Sequence, residues 1–299
     1  MATPVLSPRA TPTYTSTNTT SSMRRSVFAL LWSGAIALLA YRRRSLTRDG
    51  ALGAVVTGTT IVGSGGWSWG LTLIFFFVSS SLLSRFRVHA KERIARDKFS
   101  KGSQRDLLQV IANGGVAVLT SLGAGLSGSE RTRDLFEAGF AGAFATATAD
   151  TWATELGTLN TRPPRLITTG KIVTPGTSGG LSLLGTSAAT AGAFSLGLFH
   201  WLLHEMPHRL HLRTFTLVPL VGISGLVGSL ADSFLGATVQ AMYYCPTCDK
   251  ETERHVHSCG TPTVPLRGIP WIDNDVVNFT ATLAGASLAI LLRLVVRDM

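Results

Sequence analysis

The 299-residue sequence has few charged residues, which make up 15% of the chain while hydrophobic residues make up 45%. Soluble domains carry roughly a quarter charged residues, so this deficit argues against an ordinary soluble protein. The charges cluster between long apolar stretches, a pattern typical of membrane proteins. The net charge of +10 does not require nucleic acid as a partner, because cytoplasmic loops of membrane proteins are rich in Lys and Arg. A basic domain interleaved with aromatic residues is missing, and we expect no nucleic-acid binding.

Cysteine is scarce, and acidic residues are missing from the start of the chain. Cys245, Cys248 and Cys259 fall within fifteen residues, which argues against a distributed disulfide framework and indicates a local cluster on a reducing side of a membrane. Residues before Asp49 include no acid, and the first of them are mostly Ser, Thr and Pro. We predict a disordered N-terminal tail over residues 1–25. An organellar transit peptide is the alternative for such a segment.

Eight apolar runs follow the tail and predict a polytopic membrane domain over residues 26–299. The runs are continuous rather than alternating with a period of two, which favours helices over a closed barrel. A span requires around 20 apolar residues, and the second run is short and Gly-rich, as in a half-span or a re-entrant element. We predict an all-α integral membrane protein, a bundle of about seven to eight transmembrane helices. The runs cover residues 26–41, 51–65, 67–84, 107–126, 135–155, 179–203, 215–238 and 277–296.

The distribution of cationic loops predicts the orientation. With eight spans, the loops at 42–50, 84–106, 156–178 and 239–276 share one side and hold 18 Lys and Arg residues, against 9 on the other side. The positive-inside rule makes the first side cytoplasmic, or stromal, and places both tails outside. We expect the plasma membrane as the location in a prokaryote and an organellar membrane otherwise.

Two acidic residues lie inside Ala- and Gly-rich apolar runs, at TATADTWATELG (146–157) and VGSLADSFLGATVQ (227–240). Asp150 and Asp232 share the string Ala-Asp-(Ser/Thr)-aromatic, and both runs are predicted to cross in the same direction. A charge inside a span costs at least ~2.5–3.5 kcal/mol and indicates function. Solvation at the interface, or a bond to a neighbouring hydroxyl group, is the alternative. Two carboxylates in one cleft suit Mg²⁺. Glu155, about 140° further round an ideal helix, is a secondary candidate.

The segment PRLITTGKIVTPGTSGG (164–180) follows the first acidic helix and has the composition of an anion site. Phosphate groups are bound by cations, unobstructed backbone N–H groups and helix N-termini. Thr177 or Ser178 is positioned to cap the next helix. A Walker A motif is missing, and an ordinary polar connection is the alternative. The candidate phosphate-binding residues are Arg165, Lys171, Thr174, Gly176, Thr177 and Ser178.

Five motifs carry a family resemblance: RSLTRDGALGA, TADTWATELG, PRLITTGKIVTPGTSGG, GSLADSFLGATVQ and DNDVVNF. Over about residues 42–296 the chain resembles a multi-span membrane family that includes the animal transmembrane-protein-19 proteins and the plant plastid phytyl-phosphate kinase. The resemblance implies transfer of a phosphoryl group from a nucleoside triphosphate, CTP or ATP, to a prenyl monophosphate.

The same resemblance implies roles for individual residues. Asp150 and Asp232 would hold Mg²⁺ and, with Lys171, form the catalytic set, while Arg165 and the 174–180 turn would bind phosphates. In the motif at the start of the last span, the resemblance suggests that Asp275 and Asn278 face the cleft. Helix N-capping explains one or two of the polar residues there equally well.

The segment CPTCDKETERHVHSC presents Cys245 and Cys248 with two residues between them, then two histidines and Cys259. Three cysteines with one histidine form a known structural zinc set. We predict a zinc site of Cys245, Cys248, His257 and Cys259, with three free thiols and incidental histidines as the alternative. Such a closed set would brace the cytoplasmic loop at 241–275 rather than perform chemistry.

A second histidine-rich segment, HWLLHEMPHRLH, contains His200, His204, His208 and His211. Pro207 interrupts a common helical face, and the His-Glu-x-x-His pattern is missing. We therefore predict a solvated loop on the side opposite the acidic pair.

These features predict a membrane-embedded lipid-phosphate kinase that acts on a prenyl or phytyl monophosphate with Mg²⁺ and a nucleotide. The alternative is an ion-coupled or lipid transporter in which the intramembrane Asp pair carries protons or cations. The loop around Lys171 favours the enzyme, because a proton carrier has little need of a phosphate site. The expected partners are the lipid bilayer, a prenyl-phosphate-like lipid and the nucleotide.

Overall fold

The computed structural model describes residues 19–95, 104–205 and 215–298, and helices account for most of this part of the chain. Short strands form one two-stranded and one three-stranded antiparallel sheet. The helices are α1 (Thr19–Arg42), α2 (Arg48–Gly65), α3 (Trp67–Arg85), α4 (Val88–Ala95), α5 (Leu107–Leu126), α6 (Glu130–Gly157), α7 (Leu183–Glu205), α8 (Leu217–Thr238) and α9 (Asn274–Asp298). The strands are β1 (Arg165–Leu166), β2 (Gly180–Leu181), β3 (Met242–Cys245), β4 (Lys250–Thr252) and β5 (Val264–Arg267).

The predicted helical membrane architecture is confirmed, but the protein is mostly helical rather than all-α, because two small sheets form in the connections between helices. By length and composition, four of the described helices are suited to cross a membrane, namely α3, α5, α8 and α9. Each of the eight predicted runs corresponds to one long helix, but the number of seven to eight spans stays a prediction. The short second run forms the unbroken 18-residue helix α2, which Gly66 joins to α3 with a φ of 94°. This left-handed conformation suits glycine and lets the chain reverse within one residue.

The predicted tail over residues 1–25 falls mostly outside the described residues. Helix α1 begins at Thr19, before the predicted start of the membrane domain at residue 26. Extending a helix by one residue requires no new nucleation, so a polar segment that precedes an apolar helix can continue it. The proposed disorder of residues 1–18 stays a prediction.

Helix α6 is the centre of the bundle and contacts α3, α5, α7, α8 and α9. All residues from 138 to 149 are buried, and most of them are Ala, Gly or Thr. Small side chains let helix backbones approach closely, so one helix can have five neighbours. Phe140 stacks on Trp69 at a centroid distance of 4.3 Å, and Phe144 packs against Phe76 at 5.4 Å.

Large apolar side chains remain exposed on the outward faces of the helices. Leu31, Leu52 and Leu119 are 67%, 70% and 60% exposed. Many other Leu and Val side chains on the same outward faces are also exposed, which would be costly in water but not against lipid tails. The surface therefore fits a hydrocarbon environment.

The loops that were predicted to share one side meet at one end of the bundle, which we call the cavity end. Helices α5, α7 and α9 begin there, and α6 and α8 end there. A parallel bridge between Leu46 and Arg105 joins two of the loops. Arg267 of β5 donates hydrogen bonds to the carbonyls of Gly236 and Ala237 at the end of α8, at 2.9 and 3.0 Å. The fold thus assembles distant segments into one polar surface.

At the opposite end an ion pair joins the start of α6 to the end of α9. Arg293 donates from Nε and Nη2 to the Asp134 carboxylate at 2.9 and 2.7 Å, and Arg297 donates to the same group at 3.1 Å. This bidentate geometry fixes the orientation of the Arg293 and Asp134 side chains.

The predicted solvated loop around HWLLHEMPHRLH is wrong for its first histidine. His200 is fully buried in α7, with Nδ1 2.9 Å from Thr72 Oγ1 and Nε2 3.2 Å from Glu137 Oε1. The Nδ1 atom of His204, one turn later, lies 3.0 Å from the same carboxylate oxygen.

The reason is that α7 continues through Glu205. Proline disfavours a helical conformation chiefly at the preceding residue, so Pro207 leaves the earlier turns intact. Both histidines therefore keep one helical face, which points to Glu137 of α6. His208 and His211 lie outside the described residues.

Candidate functional site

A polar cavity of about 270 Å³ lies at the cavity end. Its wall combines the last turns of α6 and α8, the first turns of α5, α7 and α9, and the second half of the 164–180 loop. Asp150 and Asp232 both line this cavity. The structure therefore brings together two acids that are 82 residues apart in the sequence.

The packing of α6 against α8 explains why the two acids lie at the same depth. Gly228 is so close to α6 that a Cβ atom on it would lie 2.5 Å from Thr146 Cγ2. Asp150 follows Thr146 by four residues, and Asp232 follows Gly228 by four residues. Four residues are about one helical turn, so both carboxylates lie one turn beyond the same contact.

Asp232 has an incompletely satisfied carboxylate. Its Oδ2 atom is buried and has no hydrogen-bond partner within the described ranges. The negatively charged carboxylates of Asp150 and Glu253 repel the Asp232 carboxylate. A buried polar atom without a partner costs about 1–3 kcal/mol, and more when it is charged. A hard divalent cation with oxygen ligands would satisfy this arrangement.

Glu155 also lines the cavity but has protein partners of its own. Lys91 of α4 forms an ion pair with it, and the Ser84 hydroxyl at the end of α3 donates a hydrogen bond to it. Helix α6 continues without loosening to Gly157. Glu155 thus ties α3 and α4 to the cavity wall, and its use as a further ligand stays a prediction.

Residues 165–174 of the 164–180 loop do not line the cavity. Arg165, Lys171 and Thr174 are exposed, and none of the three lines the cavity. The Gly170 N–H donates to the Leu166 carbonyl at 2.8 Å, which closes a tight turn with Lys171 on its outer side. The guanidinium of Arg165 donates to the Gly170 carbonyl at 2.9 Å. In this conformation the Arg165 side chain stabilises the loop, and Lys171 is exposed.

The second half of the loop does line the cavity, through Gly176, Thr177 and Ser178. The prediction that Thr177 or Ser178 caps the following helix is wrong. Strand β2 intervenes, and the Ser182 hydroxyl accepts a hydrogen bond from the Gly185 N–H at 3.0 Å. A two-residue strand pairing of the loop ends delays the helix, and its start still faces the cavity.

The polar residues at the start of α9 were predicted either to cap the helix or to face the cleft, and the structure shows both roles. Asp273 accepts hydrogen bonds from the backbone N–H groups of Asp275 and Val276, both at 3.0 Å, and so caps the helix. Asn274 and Asn278 lie one turn apart and line the cavity. Asp275 is buried and does not line it.

Arg105 is a cavity residue that the sequence analysis missed. Its guanidinium lies over Phe76 and Phe77, 5.3 and 5.6 Å from the ring centroids. Its Nη1 atom is buried and lacks a hydrogen-bond partner in the part of the chain that the structure describes. Burial lowers the pKa of Arg105 to about 10, which leaves the side chain charged at neutral pH. A charged guanidinium with a spare donor is suited to bind an anion.

The motif RSLTRDGALGA holds Arg105 in place. The backbone N–H of Arg105 donates to the Ser45 carbonyl, and its carbonyl accepts from the Thr47 N–H, both at 3.0 Å. The Asp49 carboxylate of this motif accepts a hydrogen bond from the Leu107 N–H at 3.1 Å. The motif was visible in the sequence, but Leu107, which donates to Asp49 of the motif, lies 58 residues further along the chain.

A smaller apolar crevice of about 80 Å³ adjoins the polar cavity. Helices α1, α2, α3 and α5 form most of its wall. Arg105, Gln109 and Asn113 line both the cavity and the crevice. A polar cavity and an apolar crevice therefore share one wall.

The predicted Cys/His set also comes together. One ligand atom from each of Cys245, Cys248, His257 and Cys259 lies within 4.8 Å of the others. Hydrogen bonding with Thr261 and His257 lowers the pKa of the Cys259 thiol to about 6, and the contact with Cys259 raises the pKa of Cys248 to about 11. These residues lie in the lobe formed by β3, β4 and β5, which we call the β lobe (242–267).

The β lobe contributes one side chain to the cavity. Glu253, directly after β4, lines the cavity and accepts a hydrogen bond from Gln240 Nε2 at 3.0 Å. Gln240 is buried, and its Oε1 atom accepts from the Ser178 hydroxyl at 2.9 Å. These bonds connect the β lobe, the end of α8 and the 164–180 loop.

Comparison with known proteins identifies the family. A family model described as integral membrane protein DUF92 matches residues 31–286. Protein PGR of Arabidopsis thaliana is 34% identical, covering 88% of this chain and 94% of its own length. An uncharacterised membrane protein of Methanocaldococcus jannaschii is 28% identical, with 92% and 97% covered, and the chloroplastic protein VTE6 of Arabidopsis thaliana is 26% identical, with 83% and 65% covered. No solved structure matches. The chain belongs to the integral membrane protein family DUF92.

Proposed function

We propose that this protein transfers a phosphoryl group from a nucleoside triphosphate to a lipid monophosphate at the cavity end of the bundle. The observation that carries the proposal is the composition of one cavity: a carboxylate pair, a buried guanidinium with a spare donor, and a shared wall with an apolar crevice. Phosphoryl transfer is achieved mostly by positioning and charge neutralisation, and this set of groups serves both.

Asp150 and Asp232 would hold Mg²⁺. The buried Oδ2 atom of Asp232, which has no hydrogen-bond partner among the described residues, fits a cation ligand. The ion would supply neutralisation of the charge on the phosphate oxygens. Asn278 and Thr177 add neutral oxygen atoms to the same wall.

The phosphate groups would be bound by Arg105 and by the N-terminus of α7. The first turn of α7 faces the cavity, and N-terminal N–H groups of helices attract anions, whereas in α5 the N–H groups of Leu107 and Gln109 already donate to carboxylates. Gly176 and Ser178 border the same space with backbone of low steric bulk. Lys171 and Arg165 lie outside this wall, so their predicted roles would require the loop to move inward.

The acceptor would have a polar head in the cavity and an apolar tail that begins in the crevice. Arg105 lines both the cavity and the crevice and would bind the monophosphate group, since its guanidinium lies over two aromatic rings and keeps a donor without a partner among the described residues. The motif resemblance to plant phytyl-phosphate kinase supports a prenyl chain as the tail. The similarity to VTE6 extends over most of the present chain.

In the proposed reaction, an oxygen of the lipid phosphate attacks the γ-phosphorus of the nucleotide. The bond between that phosphorus and the β–γ bridging oxygen breaks, and the nucleoside diphosphate leaves with the electron pair. The product is a lipid diphosphate. The chain's own groups orient the two phosphates and stabilise the transferred charge.

The test is a transfer assay with the purified full-length protein in lipid nanodiscs, Mg²⁺ and γ-labelled CTP or ATP. We expect label in a lipid diphosphate when phytyl or geranylgeranyl monophosphate is supplied. We expect a loss of at least about 100-fold in the Asp150→Asn and Asp232→Asn variants, as for removal of key electrostatic groups in other enzymes. Asp134→Asn, at the opposite end of the bundle, is the matched control.

Absence of transfer to every prenyl monophosphate, with no thermal shift on adding nucleotide and Mg²⁺, would overturn the kinase proposal. If the Asp variants instead abolish a proton- or cation-driven flux in proteoliposomes, the transporter alternative replaces it. Activity that survives in both Asp variants would overturn the assignment of the cation ligands.

A further inference from the structure

We propose that Cys245, Cys248, His257 and Cys259 bind one structural zinc ion, and that this ion holds the β lobe against the cavity so that Glu253 forms part of its wall. The inference is independent of the reaction proposed above, because it concerns metal content and local folding.

The ligand geometry fits a tetrahedral zinc site. The Sγ atoms of Cys245 and Cys259 lie 3.7 Å apart, close to the ~3.8 Å expected for two thiolates at ~2.3 Å from one tetrahedral ion. A disulfide would bring them to ~2.05 Å. The Nδ1 atom of His257 lies 3.1 Å from Cys259 Sγ, so one histidine nitrogen belongs to the same cluster. Three thiolates and one imidazole form a closed set without a position for substrate.

The fold of the β lobe explains how the four candidate ligands come together. Cys245 ends β3, and Cys248 follows in the turn to β4, where Asp249 has a φ of 53°. His257 and Cys259 come from the β4–β5 connection, which is closed by the hydrogen bond from the His257 N–H to the Thr261 carbonyl at 2.9 Å. Cys245 and His257 are buried. The four ligands thus come from the end of the central strand and from the two connections that follow it.

The β lobe needs such a cross-link. Its strands have only four, three and four residues, and small units of this kind rarely bury enough apolar surface to fold without a metal or disulfides. The buried side chains of this lobe include the candidate ligands Cys245 and His257. Zinc binding would supply the stabilisation that the core does not provide.

The β lobe connects directly to the candidate site. Glu253 follows Thr252, the buried last residue of β4, and its carboxylate lies in the cavity wall, where its charge acts on Asp232. The Gln240 amide bonds both Glu253 and Ser178. Loss of the β lobe structure would therefore remove one carboxylate from the cavity and the hydrogen bond that orients the Gln240 amide toward Ser178.

The first test is elemental analysis of the full-length protein purified without chelators. We expect about one zinc per chain in the wild type and less than a tenth of this in Cys245→Ser and His257→Gln. His255→Gln is the matched control, because His255 lies two residues from His257 but packs against Tyr243 with the rings tilted, at a centroid distance of 4.4 Å. Equal zinc in wild type and His257→Gln, or a Cys245–Cys259 disulfide without zinc, would overturn the site.

Two measurements on the wild type do not depend on the folding of variants. Replacement of the metal by Co²⁺ should give thiolate-to-cobalt charge-transfer bands and the visible spectrum of a tetrahedral ion. Hydrogen exchange of residues 242–267 should rise at least about 10-fold when zinc is extracted by a chelator and return when zinc is restored. Unchanged exchange in the zinc-free protein would overturn the bracing role even if zinc is bound.

Discussion

Gly228 of α8 lies against Thr146 of α6 with no room for a Cβ atom. This contact sets the depth of Asp150 and Asp232, each one turn further along its helix. A Gly228→Ala substitution must push the helices apart or displace Thr146, and overpacking of this kind costs typically about 1–3 kcal/mol. We expect a lower thermal unfolding temperature, measured by fluorescence-detected size exclusion in detergent.

Gly63→Ala in α2 is the control for that experiment. A Cβ atom on Gly63 has no neighbour within 4 Å among the described residues, and alanine favours helix by roughly 1 kcal/mol over glycine. We expect an unfolding temperature equal to or above that of the wild type. If Gly228→Ala were as stable as Gly63→Ala, the close approach of α6 and α8 would be contradicted.

The two aspartates should act as one cation site. Mn²⁺ is a paramagnetic substitute for Mg²⁺, and its binding can be followed by electron paramagnetic resonance. We expect Asp150→Asn and Asp232→Asn each to weaken Mn²⁺ binding at least about 10-fold, with the double variant little worse than either single one, because residues that act as a unit are not additive. Independent, additive effects would indicate two separate sites.

Arg105 should matter more for the lipid phosphate than Lys171. Arg105→Lys keeps a positive charge but loses the planar donor set and its position over two aromatic rings. A charge-assisted hydrogen bond is worth about 1.5–3 kcal/mol, so we expect a rise of roughly 10- to 100-fold in KM for the lipid monophosphate. Steady-state transfer kinetics measure this change.

Lys171→Ala is the comparison variant, since Lys171 is exposed on the outer side of its loop. A KM within about threefold of the wild type is expected if the observed loop conformation is the active one. A larger effect from Lys171→Ala than from Arg105→Lys would show that the loop closes over the substrate and that the sequence-based assignment was the better one.

Glu137 should contribute to stability rather than to transfer. Its carboxylate lies between His200 and His204, at the end of the bundle away from the cavity, and its side chain is only 12% exposed. Removing one member of a buried polar cluster typically costs about 3–5 kcal/mol. We expect Glu137→Ala to lower the free energy of unfolding by about this amount in chemical denaturation in micelles.

The Asp134–Arg293 pair at the same end provides the contrast. It is partly exposed, with 27% and 19% of the two side chains accessible, and exposed pairs contribute only about 0.2–1 kcal/mol. Asp134→Asn should therefore change stability much less than Glu137→Ala. Equal losses in the two variants would contradict the importance assigned to burial.

The helical membrane class could be predicted from composition because bilayers admit few backbone arrangements, and long apolar runs of this kind favour helices. The acidic pair could also be recognised in the sequence, because a carboxylate in an apolar run costs free energy whatever the helix packs against and therefore indicates a function. The Cys/His cluster was visible because its four ligands lie within fifteen residues, at the end of β3 and in the two connections that follow it. In each case the signal is local.

Other parts depended on contacts between distant segments. The histidine segment was predicted to be solvated because its neighbours Thr72 and Glu137 come from other helices. Lys171 looked like a phosphate ligand by residue type, but it is exposed on the outer side of the tight turn that the hydrogen bond from the Gly170 N–H to the Leu166 carbonyl closes. Ser182, rather than Thr177 or Ser178, caps α7, because the short sheet delays the start of this helix.

Residue type and spacing by themselves determined that this chain is an integral membrane protein with two acids in similar apolar runs and a compact Cys/His cluster, since those properties follow from hydropathy and local sequence. Only the tertiary structure decided which groups share the cavity. Arg105 enters it because the 45–47 backbone, nearly sixty residues earlier, pairs with it, and Glu253 enters it because the β lobe packs on the end of α8. Such contacts arise from helix packing and strand pairing across the chain, and no local pattern encodes them.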